Sequence, residues 1–295
     1  MDKLLKKYNF LILQLTIFLL AFTAILGKLI TLPSTVLVFY RMMIAFAGLV
    51  LFSFIYNKNK KLKNKKIIKL ILIGFFVGAH WIFFFESIKL TNASIALICL
   101  STSSLFASFL EPLILKRKFK LYELIISLFI VLAFLLMKET SNFNNFNKGL
   151  IIGLISALFA TIFTILNKTY VNKISGVQIS IYEMLGGVIF TLLYFFISND
   201  YNYREYLYLS KNDLICLLIL GLICTSLLYV ISVNILKHIA PFTVIMNFNL
   251  EPVYGIILAV IIFPDEIMNK YFYISSILIL FGVFLNTYLK HIKRD

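Results

Sequence analysis

Long apolar segments recur along the whole chain, and they constrain its fold more than any other feature. Each is roughly 20 residues long, the length that an α-helix needs to cross a bilayer. A soluble domain of 295 residues has no interior that could bury so many of them. The sequence therefore predicts an all-α integral membrane protein with ten transmembrane helices. The predicted spans are residues 10–30, 36–56, 67–85, 94–115, 121–137, 150–167, 177–197, 214–236, 242–263 and 271–289.

The composition points the same way. Hydrophobic residues make up 61% of the chain and charged residues 14%, whereas soluble domains have about 45–50% and about 25%. The net charge is +15, but the basic residues lie between the apolar segments rather than on one face. This pattern favours contact with anionic lipid headgroups and argues against a nucleic-acid partner. The three cysteines lie inside apolar runs, where we interpret them as small buried side chains.

The loop charges predict how the chain is oriented. With the N-terminus inside, 20 of the 28 Lys and Arg residues face the cytoplasm and seven face outward. Short loops rich in Lys and Arg stay on the cytoplasmic side. We therefore expect a multi-pass protein of the inner (plasma) membrane with both termini in the cytoplasm. The first apolar run continues past the length of a signal peptide, so we interpret it as a retained helix.

The second half of the chain resembles a degenerate copy of the first. Three landmarks recur with offsets of 142, 147 and 148 residues. They are Tyr40-Arg41 with Tyr182-Glu183, Gly74 with Gly221, and Lys89 with Lys237. We expect two repeats, 1–140 and 148–295, of five spans each. Because five is odd, the second repeat would enter the membrane inverted, as in many secondary carriers.

Two segments resemble a known family. The segment NLEPVYGIILAVIIFPDE at 249–266 has a mid-helix Pro252 followed fourteen residues later by Glu266, and GFFVGAHWIFFFESIKLTNASIAL at 74–97 resembles the turn between the third and fourth helices. With ten spans in two repeats, the chain is similar to EamA-like permeases of the drug/metabolite transporter superfamily. The resemblance implies a secondary transporter that needs no cofactor. It specifies the architecture well and the substrate hardly at all.

The first repeat departs from this pattern. In the first repeat, Ser104 corresponds to Pro252, and Lys118 corresponds to Glu266. A Glu111-Pro112 pair is present, but eight residues later than the repeat register requires. We therefore expect the fourth helices of the two repeats to differ, and we do not expect a two-fold symmetric site.

Polar residues inside the spans are the candidates for substrate binding or coupling, because an ionisable group in a membrane is costly to keep. Glu251 is the deepest, with Asn247 one predicted turn before it. Arg41 suits a carboxylate or phosphate on a substrate. The full candidate set is Glu251, Asn247, Arg41, Tyr182, Glu183, His80, Trp81, Ser103, Ser104 and Tyr229.

Each candidate also has a structural interpretation. Glu251 can be hydrogen-bonded to a neighbouring helix and fix packing alone. Arg41 and Glu183 can extend to the membrane interface. His80 is more often a packing residue than a proton relay, and the hydroxyls of Ser103 and Ser104 can bond their own helix. We expect no catalytic residue and no metal site.

These observations favour a secondary carrier that moves a small metabolite, such as an amino acid, by alternating access. Coupling to protons is possible, with Glu251 as the hypothetical proton site, and the protein would be a monomer or a homodimer. The alternatives are a flippase for lipid-linked sugars, another carrier of the same superfamily, or a scaffold that does not transport. A membrane enzyme is disfavoured, because the chain has no His-Glu-x-x-His, Gly-x-Gly-Asp or Ser/His constellation.

Overall fold

The computed structural model describes residues 7–55, 62–136, 146–197, 208–262 and 270–292, and these residues form helices and no strands. The first repeat contains α1 (Asn9–Leu29), α2 (Ser34–Ile55), α3 (Asn64–Leu90), α4a (Ala93–Ser101), α4b (Ser103–Leu115) and α5 (Leu121–Leu135). The second contains α6 (Phe146–Val171), α7 (Gly176–Ile197), α8a (Lys211–Leu218), a π-helical segment (Ile219–Leu227), α8b (Leu228–Ile235), α9a (Pro241–Phe248), α9b (Glu251–Ile262) and α10 (Lys270–Ile292). Every predicted span corresponds to helix. The predicted span ends at residues 56, 137 and 263, the repeat boundary at 140, and Glu266 lie outside the described residues.

The helices are built to lie in lipid. By length and composition, seven helices within the described residues could cross a membrane, namely α1, α2, α3, residues 95–115, α6, α7 and the whole of α8. Shorter apolar stretches lie in α5 and α10, and α9 is divided into two pieces. Large apolar side chains such as Leu51, Phe54 and Phe196 face outward, where water would be an unfavourable solvent and lipid a suitable one. The chain is a multi-pass membrane protein.

Contacts between the two repeats follow an approximate two-fold relation. Exchanging the repeats converts the α3–α7 contact into α8–α2, the α3–α6 contact into α8–α1, and the α4–α6 contact into α9–α1. The fifth helices, α5 and α10, pair with each other. The predicted architecture of two inverted five-helix repeats is therefore confirmed.

Two glycines at corresponding positions allow helices of the two repeats to cross closely. A Cβ atom on Gly74 of α3 would lie 2.2 Å from the carbonyl oxygen of Glu183 on α7. A Cβ atom on Gly221 of α8 would lie 3.2 Å from the carbonyl oxygen of Arg41 on α2. The predicted equivalences of Arg41 with Glu183 and of Gly74 with Gly221 thus hold in space. The two charged residues occupy corresponding positions at the repeat interface.

The fourth helix of each repeat is broken at the same register. In α4 the break is at Thr102, whose N–H donates to the Cys99 carbonyl three residues back, at 3.1 Å. In α9 the break is at Asn249 and Leu250, and the Leu250 N–H donates to the Asn247 carbonyl at 2.9 Å. The offset of 148 residues that relates Lys89 to Lys237 also relates Thr102 to Leu250. The two helices are therefore more alike than the missing proline suggested.

A carboxylate holds the end of α4b to the start of α9a. Glu111 accepts a hydrogen bond from the Phe242 N–H in the first turn of α9a, where the helix dipole favours negative charge. The chain then turns through Lys116, which has a left-handed φ of 53°. This turn brings Arg117 into ion pairs with both Glu111, at 2.8 Å, and Glu123 of α5. The fourth helices of the two repeats are thereby connected at one end of the bundle.

Candidate functional site

A cavity of about 140 Å³ lies at the interface of the two repeats. It is bounded by side chains from α1, α2, α3, α4, α6, α8 and α9. Six of the ten predicted site residues line it: Arg41, His80, Trp81, Ser103, Tyr229 and Glu251. Cavities at a repeat interface, next to broken helices, are where secondary carriers bind their substrates.

Arg41 on α2 is the cationic group of this cavity, and it is only 1% exposed. Its Nε donates to the Thr225 hydroxyl at 2.7 Å. Its guanidinium carbon lies 3.9 Å from the centre of the Trp81 ring, a cation–π contact that supports the charge. Its Nη1 is buried and has no hydrogen-bond partner among the described residues. Thr225 and Trp81 therefore fix the position of the guanidinium, while its Nη1 group remains a hydrogen-bond donor without an acceptor among the described residues.

Glu251 is the anionic group of the same cavity. It is the first residue of α9b and is partly exposed. It attracts Arg41 electrostatically, yet no ion pair between described residues joins the two side chains. The offset of 148 residues relates Glu251 to Ser103, which is the first residue of α4b and also lines the cavity. Both broken helices thus restart at the cavity wall.

Glu183 lies behind the cavity wall rather than in it. It is fully buried on α7, and its Oε2 accepts hydrogen bonds from the Tyr229 hydroxyl at 2.7 Å and from Asn167 Nδ2 at 3.3 Å. Tyr229 and Asn167 both line the cavity and separate Glu183 from it. Glu183 Oε1 and Asn167 Oδ1 are buried without a hydrogen-bond partner in the part of the chain that is described.

Aromatic rings form much of the remaining wall. Trp81 meets Tyr229 edge to face, with ring centres 6.0 Å apart, and Phe84 and Phe163 pack against the His80 ring. His80 Nδ1 lies 3.0 Å from the Ser156 carbonyl oxygen, and the Ser156 hydroxyl donates to the His80 carbonyl at 2.9 Å. These bonds anchor the histidine between α3 and α6. They are consistent with its structural interpretation.

The structure does not bring Asn247, Tyr182 and Ser104 to the cavity, and their functional roles stay predictions. Asn247 accepts a hydrogen bond from Gln14 at 2.8 Å and joins α9a to α1. The predicted helical turn between Asn247 and Glu251 is wrong, because the helix is broken between them. Tyr182 packs beside the apolar core. Ser104 donates to the Ser101 carbonyl of its own chain segment at 3.0 Å.

Two residues of the site were missed from the sequence. The predicted sixth span ends at Asn167, which would place this residue at the membrane interface, whereas α6 continues to Val171 and keeps Asn167 one turn inside. Thr225 had no distinguishing sequence signal. Its position depends on the π-helical segment, in which its hydroxyl donates to the Leu220 carbonyl five residues back, at 2.7 Å. Apolar periodicity does not separate an α-helix from a π-helix.

The side chains of the cavity can bind a ligand that carries a negative group, a positive group or both. Arg41 can hold a carboxylate, and Glu251 can hold a cation. Within the described ranges, no group of three or more His, Cys, Asp or Glu side chains is arranged to hold a metal ion. Of the three cysteines, all of which are free, Cys224 lines the cavity.

Comparisons with known proteins agree with this geometry. The EamA-like transporter family matches the chain twice, over residues 7–138 and 147–288. Two matches to one family are what a duplicated five-helix unit predicts. A solved crystal structure of a protein is similar to this chain with a TM-score of 0.73 over 95% of this chain and 97% of that one, at 12% sequence identity. At that identity the likeness shows the fold alone. A comparison with curated proteins finds no match.

Proposed function

Because the chain belongs to the EamA-like transporter family, we propose that it moves a small zwitterion of the amino-acid type across the inner (plasma) membrane by alternating access. Proteins of this family are transporters rather than enzymes. The chain is therefore a carrier of the drug/metabolite transporter type.

One observation carries the substrate proposal. The cavity contains two charged side chains of opposite sign, Arg41 and Glu251, that are not paired with each other. Burying a charged group without a partner is unfavourable, so a ligand that pairs with both relieves the cost. A molecule with a carboxylate and an ammonium group meets this requirement. Its carboxylate contacts the Arg41 guanidinium, and its ammonium contacts Glu251.

The walls and the size of the cavity support a small molecule with an apolar part. Trp81, Phe84, Phe163 and Phe248 present rings to it. Its volume of about 140 Å³ is close to that of an engineered cavity of about 150 Å³ that admits benzene. A lipid-linked sugar is far larger, so the cavity favours a free metabolite over the flippase alternative.

Two features support alternating access. The repeats are inverted, and both fourth helices break beside the cavity, at Thr102 and at Asn249–Leu250. Inverted repeats with discontinuous helices at a central site are the usual construction of secondary carriers. The loop charges support cytoplasmic termini. The residues that line the cavity belong to one chain.

Counterflow in proteoliposomes tests the proposal. Purified protein is reconstituted, and labelled amino acids are exchanged against an unlabelled excess without ATP. We expect exchange of an amino acid with an apolar side chain, and much weaker exchange of the matching amine or the matching carboxylic acid. If the singly charged analogues exchange as well as the zwitterion, the two-charge site is wrong. If only lipid-linked saccharides move, the flippase alternative is correct.

A further inference from the structure

Two hydrogen-bonded side chains in the interior behind the cavity each have a buried oxygen atom without a donor among the described residues. Glu183 and Asn167 are joined by one hydrogen bond, from Asn167 Nδ2 to Glu183 Oε2, at 3.3 Å. The other oxygen of each group, Glu183 Oε1 and Asn167 Oδ1, is buried and has no donor among the described residues. Glu183 is 0% exposed and Asn167 is 1% exposed. Unpaired buried acceptors are rare in folded proteins and call for an explanation.

Among the residues that the structure describes, no cation forms an ion pair with Glu183. Its helix packs against α2, α3, α6 and α8. The titratable side chains that these helices bring to this part of the interior are Arg41, His80, Lys168, Cys224 and Tyr229. Arg41 donates through Nε to Thr225, and His80 is held by Ser156. Lys168 donates to the Leu236 carbonyl. Of these five titratable groups, Tyr229 is the one with a hydrogen bond to Glu183 in the described structure, and it is a neutral donor.

We infer that Glu183 and Asn167 form a proton-binding site, in which Glu183 is a neutral carboxylic acid whose Oε1–H donates to Asn167 Oδ1. A carboxylic acid and a primary amide can form a cyclic pair with two hydrogen bonds. One of the two, from Asn167 Nδ2 to Glu183 Oε2, is already in place. A single proton then satisfies both unpaired oxygens and removes an uncompensated charge from a membrane-spanning helix.

The site is placed to couple a proton to transport, and this role rests on the proposed function. Tyr229 and Asn167 contact Glu183 on one side and the cavity on the other. A substrate in the cavity therefore touches the two residues that hold the acid. When Glu183 loses its proton to water on one side of the membrane, the acid–amide pair loses its second hydrogen bond. The two wall residues are then held differently in the protonated and the unprotonated carrier.

Infrared difference spectroscopy tests the site without any substrate. Full-length protein in lipid nanodiscs is titrated with pH, and the carbonyl stretch of neutral carboxylic acid is followed. We expect Glu183→Gln to remove one such band, because glutamine has no carboxylic acid group. The variant should still fold, since glutamine can donate to Asn167 Oδ1 and accept from Tyr229 as the protonated acid does. Glu86→Gln, outside the cavity, is the matched control and should retain the band. An unchanged spectrum in Glu183→Gln would overturn the proposal.

A second variant and a second ion complete the test. Tyr229→Phe removes a donor to the anionic carboxylate, so the spectral transition should move to higher pH. If the transition stays in place, Glu183 is not the titrating group. If sodium or lithium at constant pH changes the wild-type spectrum but not that of Glu183→Gln, the site binds a metal cation and the proton assignment is wrong.

Transport measurements then distinguish the role of Glu183 in proton coupling from the identity of the substrate. In proteoliposomes with a pH gradient, Glu183→Gln should abolish accumulation of the zwitterion above equilibrium, whereas Glu86→Gln should not. Persistent accumulation in Glu183→Gln would overturn the coupling role. If no amino acid exchanges even in the wild type, the proposed substrate is wrong, but the infrared result still decides whether Glu183 binds a proton.

Discussion

Thr225 and Tyr229, four residues apart on α8, hold the buried cation and the buried acid of the interface. The Thr225 hydroxyl accepts a hydrogen bond from Arg41 Nε at 2.7 Å, and the Tyr229 hydroxyl donates to Glu183 Oε2 at 2.7 Å. Trp81 touches both ends of this arrangement, since it stacks under Arg41 and meets Tyr229 edge to face. A displacement of α8 would therefore change the surroundings of both groups together.

Arg41 should recognise the carboxylate of the substrate, and Glu251 should recognise its ammonium group. We expect Arg41→Gln to reduce exchange of the zwitterion by about 10- to 100-fold, the loss typical of a hydrogen bond to a charged group. The same variant should lose its preference over the amine analogue, which has no carboxylate. Glu251→Gln should instead lose its preference over the carboxylic acid analogue. Counterflow rates for the three compounds measure this.

The control for that experiment is Arg41→Lys, which keeps the charge but loses the planar guanidinium that stacks on Trp81. We expect it to retain the preference for a carboxylate at reduced affinity. Identical loss for all three compounds in both Arg41→Gln and Glu251→Gln would mean that neither residue contacts the substrate directly.

Cys224 offers a direct measure of occupancy, because it lines the cavity. In a protein with Cys99→Ser and Cys216→Ser, a small methanethiosulfonate reagent should modify Cys224. Substrate at ten times its dissociation constant leaves about one site in eleven empty, so the modification rate should fall about tenfold. Mass spectrometry of the labelled protein follows the reaction. In the matched protein that retains only Cys216, which does not line the cavity, substrate should leave the rate unchanged.

Gly74 should not tolerate a side chain. Gly74→Ala would place its Cβ 2.2 Å from the Glu183 carbonyl oxygen, and a backbone atom cannot move away as a side chain can. We expect a loss of about 1–3 kcal/mol of stability, as in overpacked cores, which thermal unfolding in detergent would detect. Gly282→Ala is the control, since its nearest contact is the Ile130 side chain at 3.1 Å. Equal melting temperatures for the two variants would contradict the close crossing.

Glu111 should stabilise the end of the bundle where α4b meets α9a. Glu111→Ala leaves the Phe242 N–H without its acceptor and removes one of the two carboxylates from Arg117. We expect a loss of about 1–3 kcal/mol, again measured by thermal unfolding. Glu111→Gln keeps a neutral acceptor and should lose less. The hydrogen bond to α9a would be unimportant if Glu111→Gln and Glu111→Ala were as stable as the wild type.

Hydropathy predicted the helices, because burial in lipid requires long apolar segments and little else. The repeat was also predictable, since Arg41 and Glu183 follow tyrosines at corresponding positions. The breaks in α4 and α9 were not, because Thr102 and Leu250 carry no common sequence signal. The wrong prediction for Asn247 follows from the unpredicted break. A continuous helix would put Asn247 beside Glu251, whereas in the broken helix it bonds Gln14.

The equivalence of Arg41 and Glu183 has a thermodynamic consequence. In a carrier whose inverted repeats were identical, the state open to one side and the state open to the other would be the same structure turned over, and they would have equal free energies. A guanidinium in one repeat and a carboxyl group at the corresponding position of the other remove that degeneracy. The empty carrier then has a preferred resting orientation, and the electrical potential across the membrane acts on it unequally in the two directions.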